Sequence, residues 1–79
     1  RSETMKELLL YMAKNLVGNP DAVTVTEIEG ENTVLELRVA PEDMGKVIGR
    51  QGRIIKEVRI LMKAVAQRKG KKVSVEVHD

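Results

Sequence analysis

With 79 residues and no cysteine, the chain is one small domain, near the size where a single core is only marginally stabilising, and disulfides or a thiolate metal site are excluded. Its one histidine, His78, builds neither a zinc site nor a proton relay on its own, and no stretch approaches the roughly 18 consecutive apolar residues of a membrane span. The net charge of +2 hides an asymmetry, −5 over residues 1–45 against +9 over residues 46–72 and −2 over residues 73–79. Such a local basic surface is the footprint expected of a phosphate-backbone binder, although a charge run more often means a solvated helix face.

Arg1 to Thr4 read as a remnant ahead of a natural start at Met5-Lys6-Glu7. From Met5, the residues Leu8, Leu9, Met12 and Leu16 recur at helical spacing, with Thr4 and Glu7 placed for a capping box and Gly18-Asn19-Pro20 ending the run. Val23, Val25 and Ile28 form a β-branched run, Glu29-Gly30-Glu31-Asn32 reads as a turn, and Leu35, Leu37 and Val39 then alternate with Glu36 and Arg38. These two strands are expected to form an antiparallel hairpin. Pro41 suits the first position of a short second helix, Glu42 and Asp43 suit its N-terminal dipole, and Met44, Val47 and Ile48 share one face.

A third helix is predicted to begin near Arg53, with Ile54, Val58, Leu61, Met62 and Val65 on one stripe and Arg53, Lys56, Arg59 and Lys63 largely opposite. Ile60 falls outside the stripe, between the directions of Arg53 and Lys63, and is expected to be exposed. Gly70 closes the helix, and Val73, Val75 and Val77 alternate with Ser74 and Glu76 as a half-buried strand. The element order is αββααβ. A two-helix crossover suits parallel neighbours, so residues 33–39 become the central strand of a three-stranded mixed sheet. Strand 22–29 is then its antiparallel neighbour and strand 72–78 its parallel one. Three helices cover one face, an α+β two-layer domain.

Between helices two and three runs Val47-Ile48-Gly49-Arg50-Gln51-Gly52-Arg53-Ile54-Ile55. Glycines at both ends of a short loop permit positive φ and close approach of the backbone to a ligand. The second glycine also opens a helix, whose first N–H groups and dipole favour an anion such as phosphate. In order, Val47, Ile48, Gly49, Gly52 and Ile55 resemble the signature of the KH domain, and the element order is similar to its type II, prokaryotic-style form. KH domains bind single-stranded nucleic acid and clamp about four nucleotides with this loop.

The resemblance implies that Gly49, Arg50, Gln51 and Gly52 hold the backbone, that Arg53, Lys56 and Lys46 add charge, and that Ile48 and Ile55 help line the groove floor. At helical spacing those two isoleucines are also core candidates. The only aromatic is Tyr11, so stacking platforms like those of RRM or OB folds are excluded. Modest affinity and loose sequence preference are expected.

No nucleophile with a base partner and no phosphate loop of the Gly-x-x-x-x-Gly-Lys type is present, so no catalysis, cofactor or metal is expected. Two other binding readings stand beside the first. One is a duplex-DNA module of the helix-turn-helix or helix-hairpin-helix kind, whose glycines usually lie two apart in the hairpin form; the other is a protein-interaction domain with an acidic partner. Over Met5 to Val77 the chain resembles the KhpA family of small bacterial RNA-binding proteins. That resemblance implies a cytoplasmic RNA chaperone without membrane contact, which pairs with itself or with a Jag-type KH protein and acts in cell shape and peptidoglycan homeostasis. It also raises the expectation that Ile60 lies in a dimer contact.

Overall fold

The computed structural model describes residues 4–49 and 52–79; the candidate residues Arg50 and Gln51 lie outside them. Helix α1 spans Met5–Lys14. Thr4 caps it, its hydroxyl accepting the Glu7 amide at 3.1 Å, which satisfies one of the four unpaired N–H groups of a helix start. The helix stops at Lys14, short of the expected end near Gly18, because Asn15 turns back on it. The Asn15 amide group donates to the Tyr11 carbonyl at 2.8 Å, and its backbone N–H is shared between Tyr11 and Met12. Leu16 and Val17 still pack against the core from beyond the helix.

A 3₁₀ turn at Pro20–Ala22 delays the first strand, so β1 is Thr24–Ile28. Strand β2, Thr33–Arg38, pairs with β1 antiparallel from Thr24 opposite Arg38 to Ile28 opposite Val34. A second 3₁₀ turn at Pro41–Asp43 leads into α2, Met44–Ile48. Helix α3, Arg53–Arg68, returns the chain to β3, Val73–His78. That strand lies parallel to β2, from Thr33 opposite Val73 to Arg38 opposite His78. The sheet order β1-β2-β3 has the expected central strand and the expected mixed pairing.

Alternation along β2 turns Leu35 and Leu37 toward the helices, where both are fully buried with Leu9, Val47 and Met62. Each such side chain contributes about 1.5–3 kcal/mol by leaving water. Helix α3 is seated differently from the expected stripe. Ile55, Val58, Met62 and Ala66 are buried, Ile54 is half-buried and Leu61 is 45% exposed. The buried face is rotated by roughly 60° about the helix axis from the predicted one. Ala66, too weakly apolar to register in the pattern, is 1% exposed beneath the helix, and a small residue there lets the last turns approach the sheet.

Candidate nucleic-acid interface

The short helix α2 ends on Gly49, whose N–H donates to the Gly45 carbonyl at 2.9 Å. Gly49 has φ 68° and ψ −172°, a combination open essentially to glycine alone. A Cβ at this position would stand 3.0 Å from Ile54 Cγ1. Gly52 has φ 71° and ψ 18°, the left-handed region, but among the described residues a Cβ there would meet nothing closer than Ile55 Cγ2 at 4.0 Å. Gly49 is thus required by backbone and by space, Gly52 by backbone alone. Among the described residues no side chain caps the start of α3, and no acidic residue occupies its first turn. The leading N–H groups and dipole of such a helix start favour an anion.

Around this loop the candidate residues separate into two environments. Arg53 and Lys56 are exposed on α3. Ile48 is 37% exposed at the end of α2, whereas Ile55 is 6% exposed and belongs to the core. Lys46 lies against Asp43 and Gly18: its Nζ is 3.7 Å from Asp43 Oδ1 and 2.8 Å from where a Cβ on Gly18 would stand. Its charge is shared with a carboxylate. Ile60, 60% exposed, lies on the outer side of α3 as expected.

Asp43 has a larger part than the helix-dipole role its position implies. It is buried, and its two carboxylate oxygens accept the backbone N–H groups of Gly18 and Asn19, each at 3.0 Å. The carboxylate therefore ties the segment behind α1 to the first turn of α2, the helix that delivers Gly49. Nothing in the spacing of Gly18-Asn19 and Asp43 signals this bridge. The Gly18 hydrogen bond, helped by the Asn19 amide and the Lys46 ammonium, holds the Asp43 carboxyl below its ordinary value of 3.8 against the opposing effect of burial. A carboxyl lowered in the folded state stabilises fully above its unfolded value, and the contribution is lost as pH falls through the folded value. Thermal stability of the chain is therefore expected to decline below about pH 4, and Asp43→Asn is expected to flatten part of that decline while lowering stability at pH 7. Melting curves from pH 2 to 7 on both proteins check this; parallel pH profiles would remove Asp43 as a contributor.

Two further residues were not singled out by sequence. Arg59 Nε donates to the Val75 carbonyl at 3.1 Å, bridging α3 to the outer edge of β3. Tyr11 is remote from the loop in sequence, yet it shares an open, mainly apolar cleft of about 360 Å³ with Met12, Leu16, Ile54, Val58 and Leu61; Ile54 is the residue that packs on Gly49. On the uncovered face of the sheet, His78 is joined by Glu36 and Glu76, with ligand atoms within 4.8 Å of one another. The two glutamates oppose each other in register, an unfavourable pairing of like charges. Among the described residues, no helix is long and apolar enough to cross a membrane.

Comparison with known proteins gives a consistent result. Residues 6–77 match the family described as KhpA/KhpB, KH domain. The chain is 57% identical to RNA-binding protein KhpA of Clostridium acetobutylicum over 74 residues, covering 92% of this chain and 99% of that protein. It is 50% identical to RNA-binding protein KhpA of Aquifex aeolicus over 74 residues, covering 92% and 94% respectively. A crystal structure of a variant of Aquifex aeolicus Era bound to GDP.AlF4- is similar with a TM-score of 0.63 at 22% identity. The match covers 92% of this chain but only 29% of that one, a likeness of fold.

Proposed function

The chain belongs to the KhpA/KhpB family of KH domains, and from that premise we propose that it binds single-stranded RNA through the loop from Gly49 to Gly52. The observation that carries the reading is the pair of positive-φ glycines joined to a helix start that no side chain caps among the described residues, a backbone surface that a sugar-phosphate chain can approach closely. Gly49, Arg50, Gln51 and Gly52 hold the backbone. Arg53 and Lys56 supply charge, and Lys46 adds to it when its ammonium leaves Asp43, whose carboxylate keeps two amide donors. Ile48 offers apolar surface beside the loop, and Ile55 supports it from the core.

Binding of one single-stranded RNA and of the duplex of the same sequence, each over a salt series, tests the reading. Three or four phosphate contacts give a slope of log affinity against log salt of about −2 to −3, at roughly −0.7 per contact on a single strand. Preference for the duplex would favour a DNA-type module, and a flat salt response on both would favour a protein partner.

In the cell this activity is that of a cytoplasmic RNA chaperone or post-transcriptional regulator, with cell shape and peptidoglycan homeostasis as the processes that the family resemblance points to. Crosslinking to RNA in the native cells, followed by sequencing, would name the targets.

A four-nucleotide loop binds weakly alone, and two linked grooves gain avidity. The chain accordingly pairs with a second copy or with a Jag-type KH protein, with Ile60 in the contact. Ile60→Asp is expected to leave the fold intact, because the buried face of α3 is untouched, and to give a monomer with weaker RNA binding, since a charge in an apolar contact is costly. Sedimentation equilibrium at tens of micromolar decides this. A monomeric parent, or a mutant as dimeric as the parent, removes Ile60 from the interface.

A further inference from the structure

Resting on that RNA reading, we propose a second phosphate-binding site on the same strand path, in the recess where α3 ends and β3 begins. Asn32, Lys63, Gln67, Lys71, Lys72 and Ser74 line an open cavity of about 460 Å³ there. The lining gathers three lysines, two amide residues and a serine, residue types that donate to phosphate and can hydrogen-bond base edges. Among the described residues the ion pairs are Asp43 with Lys46 and Glu76 with His78, so no carboxylate there lies within pairing distance of these lysines.

The obvious alternative role for lysines at this place is to cap the last turn of α3. Backbone groups already do that work. The Ala66 carbonyl accepts the N–H groups of Lys69 and Lys71 at 3.0 and 2.9 Å, and the Gln67 carbonyl accepts that of Gly70 at 3.1 Å. Gly70, at φ 69°, turns the chain so that Lys71 and Lys72 lead into β3 at the recess.

A row of polar residues on α3 leads from the helix start toward the recess. Along α3, Lys56, Arg59, Lys63 and Gln67 recur at three- and four-residue spacing, a single row on the β3 side of the helix. From Gly52 to Gln67 that row extends about 22 Å at the helical rise per residue. A strand leaving the loop along it passes Arg59 and arrives at Lys63, Lys71 and Lys72.

A peptide is a poorer occupant. Lys72 and His78 direct their carbonyls to β2, bonding Thr33 and Val39, so alternation turns the Val75 carbonyl to the free edge of β3, and there Arg59 covers it. Strand addition needs that carbonyl. On the far side of the lysine pair lie Glu29 and Glu31 of the hairpin turn, around a second recess that shares Asn32, Lys71 and Lys72. The field favouring phosphate ends at that turn, and so does the path.

The test measures affinity and salt slope for single-stranded RNAs of degenerate sequence, four, eight and twelve nucleotides long. The parent is compared with a Lys63→Gln, Lys71→Gln, Lys72→Gln triple variant. In the parent, the slope for the eight-nucleotide RNA is expected to be steeper than for the four-nucleotide RNA by about 1.4, two added contacts at roughly 0.7 each, and to steepen no further at twelve. Sliding registers on a longer strand raise affinity without changing this slope. The variant is expected to bind the four-nucleotide RNA within about twofold of the parent, which also reports its fold, and to show one slope at all lengths. Equal slopes at four and eight nucleotides in the parent, or an undiminished increment in the variant, overturn the second site while the loop reading stands. Failure of the parent to bind any of the RNAs overturns both.

Discussion

Replacing Arg50 and Gln51 together by aspartate is expected to abolish binding of single-stranded RNA while the domain stays folded. The two residues stand between Gly49 and Gly52 in sequence, where the proposed strand makes its closest approach. The substitution removes one positive charge and sets two carboxylates against phosphates. Like-charge juxtaposition in an interface costs several kcal/mol, enough to take a modest single-domain affinity out of the measurable range. The buried core draws on α1, α2, α3 and the sheet, and both glycines remain, so the melting temperature is expected to stay near that of the parent. Fluorescence anisotropy with a labelled RNA, read beside a thermal melt, separates the two effects. Unchanged affinity in the double variant would show that the loop is not where RNA binds.

The second large effect concerns Gly49, and it includes a ranking. Gly49→Ala is expected to destabilise the domain by about 1–3 kcal/mol from backbone strain, with more added because the new Cβ would stand 3.0 Å from Ile54 Cγ1 and the isoleucine must shift. For a domain of this size that amounts to a fall in melting temperature of about 4–8 °C per kcal/mol. RNA affinity should fall as well, because the loop leaves α2 at this residue. Gly52→Ala, left-handed but without a close neighbour among the described residues, should cost about 1–2 kcal/mol. Gly52→Asn should cost less still, since asparagine visits that region more readily. Melting curves and RNA titrations on the three variants test the order. A Gly52→Ala protein less stable than Gly49→Ala would contradict the geometry of the loop.

The two recesses beside α3 show where pattern reading stops. Arg59 and Lys63 read in sequence as part of a polar face largely opposite an apolar stripe. The observed seating of α3 on Met62 and Ala66 instead brings that face to the edge of β3, where Arg59 finds a carbonyl and the lysines find Asn32 and Ser74. On the other flank the same rotation leaves Leu61 and Ile54 half-covered beside Tyr11.

Local chemistry carried the rest. Period-two alternation in β2 and β3, β-branched residues in β1, a capping threonine, and glycines at both ends of a short loop are properties of neighbouring residues. They were enough for the order αββααβ, the central strand and the positive φ of Gly49 and Gly52, because each is decided by backbone sterics or by which face of one element is apolar. Contacts between residues far apart in the chain were beyond reach. The bridge from Asp43 to Gly18 and Asn19, the pairing of Lys46 with that carboxylate, the Arg59 bond to Val75 and the meeting of Glu36, Glu76 and His78 exist only once the elements have packed. A buried carboxylate is stable where amides from another segment converge on it, and no spacing within either segment encodes that convergence. The composition of α3 decided that it would be amphipathic; the close fit of Ala66 and Met62 over the sheet decided which residues its basic row would face.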